Sequence, residues 1–271
     1  MTQTTTPETT SKNASADNPV VAITGGGTGI GRATAELFLA RGARVVLNGR
    51  RQEVLDSTAR ELDPSGERVA TVAGDISKRA TAEALVDTAV ERFGGLDILV
   101  NNAGVFKPTS FLEHGEDDFD YYIDIILKGT FFASQAAARA FEKRGGGSIV
   151  NVGSMWAEEA IGDTPSSAYS AAKAGVHALT RNLAIELAGQ GIRVNTVAPA
   201  VVETPVYETF MSPEQVAEVL PSFHGLHPIG RNGQPEDVAR SIVFLAGADA
   251  GWITGAVLPV DGGVLAGRPA A

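Results

Sequence analysis

From Pro19 onward, short and nearly continuous apolar runs alternate with longer stretches in which apolar residues recur every three to four positions. The runs predict strands at 20–23, 45–47, 69–72, 98–100, 148–152, 192–197 and 256–260. The periodic stretches predict helices at 32–41, 52–62, 81–93, 117–143, 167–188 and 235–246. Gly42, Pro64 with Gly66, Gly94-Gly95 and Gly145-Gly146-Gly147 punctuate the helix ends. In the first helix Ala33, Leu37 and Ala40 are expected to share the buried face. Strands that are apolar throughout have no polar side to offer water, so both faces of their sheet must be covered. Strict alternation of strand and helix supplies that cover through right-handed crossovers. The expected architecture is α/β: one doubly wound domain over 18–271, with a parallel sheet of about seven strands and helices on both faces.

The first 17 residues are polar and Thr-rich with no apolar run, and are read as a disordered tail rather than a secretory signal. No stretch approaches the roughly 20 apolar residues of a membrane span. The 22 basic residues are outnumbered by 32 acidic ones, a net charge of -10, which argues against nucleic-acid or anionic-membrane partners. The absence of cysteine removes disulfides, thiolate nucleophiles and cysteine zinc sites. A cytoplasmic protein is expected.

Candidate chemistry sits where the first strand ends, in Thr24-Gly25-Gly26-Gly27-Thr28-Gly29-Ile30-Gly31. A glycine turn between strand and helix turns unpaired amides and the helix dipole toward a pyrophosphate. About 20 residues on, an acidic side chain would read the adenosine ribose of NAD. Here the chain has Gly49-Arg50-Arg51. Arg50 offers a fork of donors suited to a 2′-phosphate, so NADP(H) is the expected cofactor and NAD(H) the alternative. The plainer reading of the two arginines is a solvated helix start.

Tyr169 and Lys173 stand four residues apart in a helical pattern and so share a helix face. A neighbouring ammonium favours phenolate, which would make the pair an acid/base at neutral pH. Ser154 lies just past the fifth strand, where a hydroxyl can meet a substrate oxygen.

With these residues in place, the chain resembles a short-chain dehydrogenase/reductase of the single-domain kind. The resemblance runs from about residue 19 to 263 through TGGGTGIG at 24–31, GDIS at 74–77, NNAG at 101–104, Ser154 with Tyr169 and Lys173, RVNTVAP at 193–199, GRNGQPEDVA at 230–239 and PVDGG at 259–263. It implies a Rossmann-type fold, a nicotinamide cofactor and hydride transfer to or from a carbonyl or secondary alcohol. Asp75 and Ile76 would then meet adenine. Asn101, Asn102, Ala103 and Gly104 would line the cofactor. Ser154 would orient the carbonyl, Tyr169 would pass the proton, and Lys173 would hold the ribose and lower the Tyr169 pKa. Pro199, Val202 and Thr204 would fix the carboxamide. The matching region at about 203–229 would form a substrate lid. A homotetramer is implied, with a dimer next, and Trp252 is expected in an interface.

The chain departs from the family pattern at three places. Ile126 stands where an Asn is usual, so proton resupply is expected to be slower or rerouted, unless the change is a packing substitution. The Ser154–Tyr169 loop is slightly long, and Met155 and Trp156 are expected to line the substrate pocket, with Glu158, Glu159 and Asp163 on a solvated rim. Ala200 replaces a usual Gly, which suits a negative φ. In the lid, Tyr207 and Phe210 are expected pocket residues and suit an apolar substrate. His224 and His227 have metal-like spacing, but no third ligand is visible, so no metal is expected. The readings weighed are a 3-oxoacyl-thioester or ketone reductase using NADP(H), an NAD-dependent secondary-alcohol or sugar dehydrogenase, and a catalytically impaired nicotinamide-binding protein.

Overall fold

The computed structural model describes residues 18–162 and 164–267. The expected tail and Asp163 lie outside the described residues. Seven strands form one parallel sheet in the order β3-β2-β1-β4-β5-β6-β7. They are β1 (Val20–Thr24), β2 (Arg44–Gly49), β3 (Val69–Ala73), β4 (Ile98–Asn101), β5 (Gly147–Val152), β6 (Ile192–Pro199) and β7 (Val257–Val260). The helices are α1 (Gly29–Ala40), α2 (Gln52–Leu62), α3 (Arg79–Phe93), α4 (Glu116–Tyr122), α5 (Gly129–Arg144), α6 (Ser167–Glu186), α7 (Pro213–Ser222) and α8 (Pro235–Ala246).

The strands are mostly apolar because they serve two cores. Val21, Ile23, Val45, Leu47, Val100 and Val150 point to the α1 and α8 side. Their neighbours Val20, Ala22, Val46, Leu99 and Ile149 point to the α3 and α5 side. Each fully buried Val, Leu or Ile side chain among them contributes about 1.5–3 kcal/mol.

In α1 the buried face holds Ala33, Ala35, Phe38 and Leu39. Ala40 is exposed and Leu37 only half-buried, so the expected face is corrected by a rotation that lets Phe38 reach the sheet. The helix expected over 117–143 is broken by a π-helical segment, Ile123–Lys128, where the Gly129 amide reaches back to the Asp124 carbonyl. An extra helix, α7, lies within the region expected as a lid. Ser212 caps it by accepting from the Gln215 amide, and Pro213 occupies its first turn.

The chain runs outward from β1 to β2 and β3, then returns across β1 to β4. Loops leaving the tips of β1 and β4 therefore diverge, and a crevice opens between them.

Candidate active site

The crevice floor is laced together by Thr24 and Asn102. Thr24 Oγ1 accepts from the amides of Asn102 at 3.0 Å and Ala103 at 2.9 Å. Asn102 Nδ2 donates back to the carbonyls of Thr24 and Gly25, each at 3.0 Å. Gly25 and Gly29 adopt φ of 63° and 51°, a left-handed backbone that favours glycine. A side chain at Gly31 would strike the Gly25 carbonyl, so Gly31 packs the turn rather than lining the cleft. Thr28 caps α1 through extended backbone, and no acidic residue sits in the first turn. The unpaired amides there form a positively polarised mouth.

Two adjoining clefts meet at this turn. The smaller, about 160 Å³, is walled by Gly27, Gly49, Arg50, Asp75 and Ile76. Arg50 is exposed and donates to Tyr121 Oη at 3.3 Å. Asp75 Oδ1 accepts from the Ser77 amide at 2.9 Å. The larger cleft, about 540 Å³, runs from Gly25, Thr28, Gly29, Ile30, Asn102, Ala103 and Gly104 past Pro199, Val202 and Thr204 to Ser154, Tyr169 and Lys173. Helix-end amides, a guanidinium and an ammonium along one channel fit a dinucleotide carrying phosphates. A groove of about 570 Å³ beside β3, lined by Asp56, Arg60, Thr71, Thr88 and Arg92, shares none of these residues.

Asn101 does not reach the cleft. Its Nδ2 donates to Ser134 Oγ at 3.0 Å and Asn151 Oδ1 at 2.9 Å, which makes it a buried tie between β4 and β5.

Tyr169 and Lys173 project from one face of α6. Lys173 Nζ donates to the Val152 carbonyl at 2.6 Å and lies 5.7 Å from the Tyr169 ring centroid. Burial pushes the Tyr169 phenol up to about 12, with the Ser154 hydroxyl pulling it back in part. Burial also pushes Lys173 down to about 8. The expectation that Lys173 brings the phenol down is thus corrected: desolvation dominates, and the hydroxyl holds its proton at neutral pH. Ser154 is buried and its Oγ accepts from the Trp156 amide at 3.2 Å, which leaves the hydroxyl hydrogen free to donate.

Aromatic rings close the other side. Phe106, Trp156 and Tyr207 line the cleft. Phe106 meets Tyr169 edge-on at 5.0 Å between centroids and Trp156 at 6.2 Å. Phe210 stands behind this wall, against Phe106 at 6.0 Å and Tyr207 at 6.2 Å. Met155, expected in the pocket, is fully buried with Val201, Leu220 and Val264. The turn after Ser154 sends Met155 inward and Trp156 to the cleft. Phe106 was not anticipated, although its place just past β4 marks it as a strand-tip residue.

A family model described as enoyl-(acyl carrier protein) reductase matches residues 25–265. The chain is 40% identical to (2S)-[(R)-hydroxy(phenyl)methyl]succinyl-CoA dehydrogenase subunit BbsD of Thauera aromatica, over 91% of this chain and 96% of that one. It is 42% identical to cis-4-hydroxycyclohexanecarboxylate dehydrogenase of Sinomonas cyclohexanicum, over 91% and 96%. A solved structure of ElxO with NADP bound superposes with a TM-score of 0.84 at 32% identity, covering 92% of this chain and all of that one. The chain belongs to the short-chain dehydrogenase/reductase family. It is an oxidoreductase with a single Rossmann-type domain.

As a short-chain dehydrogenase/reductase it is unusual at Ile126, which lies in the π-helical segment, 1% exposed, packed with Tyr122, Ala168, Ala172 and Val176. The helix distortion is therefore present with an apolar residue at its centre. Ala200 adopts no positive φ, in keeping with a side chain there. In the lid region His227 is buried, with Nδ1 2.9 Å from the Phe223 carbonyl, and His224 Nε2 lies 4.0 Å from Glu203. Among the described residues no cluster suited to a metal is present, and no helix is long and apolar enough to cross a membrane.

Proposed function

We propose that this short-chain dehydrogenase/reductase reduces apolar, ring-bearing ketones to secondary alcohols with NADP(H), Tyr169 giving the proton. One observation carries the reading: the Tyr169 phenol, the Ser154 hydroxyl and the Lys173 side chain line one cleft together with the aromatic rings of Phe106, Trp156 and Tyr207. When bound, the reduced nicotinamide supplies the hydride. Ser154 donates to the carbonyl oxygen and fixes its direction. Tyr169 passes its proton to that oxygen as negative charge develops, and the nearby Lys173 ammonium stabilises the phenolate left behind.

Arg50 beside Gly49 supports NADP(H), because a guanidinium fork fits a 2′-phosphate and no carboxylate occupies Gly49 to repel it. Phe106, Trp156 and Tyr207 favour flat or cyclic apolar groups. The names of the Thauera and Sinomonas relatives, a phenyl and a cyclohexane compound, agree with that class. Residues from about Glu203 to Ile229, with α7, act as a substrate lid in this reading. Exposed Trp252, Ile185 and Phe244 supply apolar surface for a homotetramer, with a dimer the alternative, in the cytoplasm.

The test is a side-by-side screen of NADPH and NADH consumption over cyclic ketones, aryl ketones, sugars and β-ketoacyl thioesters. NADPH oxidation concentrated on cyclic and aryl ketones is expected. Turnover confined to NADH or to sugars would overturn the proposal.

A further inference from the structure

His177 is one turn beyond Lys173 on α6, so Tyr169, Lys173 and His177 form one stripe facing the tip of β5. Lys173 holds the Val152 carbonyl there. His177, 3% exposed, meets the next peptide: its Nε2 accepts from the Ser154 amide at 3.4 Å. Its other nitrogen, Nδ1, lies 3.3 Å from Glu158 Oε1. A ring that accepts at Nε2 must, while neutral, carry its proton on Nδ1, and Glu158 stabilises that tautomer. Space around the ring is tight. A side chain at Gly153 would run into His177 Nε2 and Thr196, so the backbone before Ser154 is pressed against the imidazole.

We propose that His177, held as its Nδ1–H tautomer by Glu158, is a positioning residue that fixes the Ser154 hydroxyl for the reaction by gripping its backbone amide. The inference rests on the reading of Ser154 as the group that orients a carbonyl. His177 touches neither carbonyl nor cofactor site; it acts through Ser154. Protonation turns Nε2 from acceptor into donor and sets it against the Ser154 N–H. The grip therefore holds above the His177 pKa and is lost as pH falls through it. The charged groups acting on the ring are Glu158 from the turn after β5, and Lys173 and Arg181 from α6 itself. Glu158 favours the protonated ring, while burial and the two cations oppose it, and burial is the largest influence.

Three variants and one spectrum test this. His177→Gln places an uncharged acceptor where Nε2 stands, and His177→Leu keeps bulk without an acceptor. Glu158→Gln keeps an acceptor for Nδ1–H but removes the charge. Thermal melts and NADPH titrations establish that each variant folds and binds cofactor. With a ketone found in the screen above, His177→Leu should lower kcat about tenfold with NADPH affinity unchanged. His177→Gln should restore kcat to within about threefold and remove the acid limb of the kcat–pH profile attributable to the ring. Glu158→Gln should move that limb to lower pH, because the charge favouring protonation is gone. Independently of any substrate, proton–nitrogen correlation spectra of ¹⁵N-histidine-labelled protein should show a neutral ring protonated at Nδ1 that vanishes in His177→Gln. That spectrum separates failure of this inference from failure of the proposed reaction. An Nε2–H tautomer, or a His177→Leu enzyme with wild-type kcat, would overturn it.

Discussion

Replacing Ile126 by Asn restores the residue usual in the family, and the structure says it should harm this protein. The side chain is 1% exposed and packs among Tyr122, Ala168, Ala172 and Val176, a mainly apolar setting whose polar groups include the Tyr169 hydroxyl and the Tyr122 hydroxyl. The Tyr122 hydroxyl is engaged, donating to the Lys107 carbonyl at 2.7 Å. Withdrawing the Ile side chain from the core forfeits about 1.5–3 kcal/mol. An unsatisfied buried amide costs about 1–3 kcal/mol more. Allowing for partial relaxation, a net loss of about 2–4 kcal/mol follows. For a chain this long that is a fall in Tm of about 4–16 °C. Denaturant melts of wild type and Ile126→Asn, with kcat on one ketone, would measure both stability and turnover. Unchanged stability, or a large gain in kcat, would refute the packing account and restore the impaired-relay reading of Ile126.

Arg50→Ala should weaken NADPH binding about 10- to 30-fold by fluorescence titration and leave NADH binding unchanged, since only the 2′-phosphate loses a partner. Parallel loss for both cofactors would assign Arg50 a structural role. Lys173, pushed down to about 8 from 10.5, lets the unfolded chain hold more protons between those values, so stability should rise from pH 8 toward 10.5. Tyr169, raised from 10.0 to about 12, acts in the opposite sense above pH 10, where the folded chain keeps a proton that the unfolded chain releases. Denaturant midpoints of wild type against Lys173→Met should therefore diverge upward from pH 8 to 10, and a flat difference would contradict the burial account. Ser154→Ala should lower kcat about 100-fold with the NADPH dissociation constant unchanged, read by steady-state kinetics and titration.

The sheet was legible because its strands are buried on both faces: an unbroken apolar run marks such a strand as surely as glycine marks its end. Helices α2 and α8 begin and end at the expected residues, each stopped or started by proline or a turn. The π-helical segment left no trace in periodicity, since Ile123, Ile125 and Ile126 suit a regular helix equally well. Helix α7 could have been found from Ser212-Pro213-Glu214-Gln215, a capping box with proline in the first turn, which aromatic residues around it obscured. Within the cleft, spacing along α6 placed Tyr169 and Lys173 together but said nothing of His177, because its partner Ser154 is remote in sequence and bonded through its backbone. Adjacency to Ser154 misassigned Met155, whose orientation depends on a single turn after β5.

Comparing Tyr169→Phe with wild type under NADPH, on whichever ketone turns over best, puts the assigned proton donor to the most direct trial. The variant lacks one oxygen and keeps the ring against Phe106. We expect kcat/KM to fall by about 1,000-fold or more while NADPH affinity, measured by fluorescence, stays within about twofold. A variant retaining a tenth or more of wild-type kcat/KM would place the proton source elsewhere in the cleft.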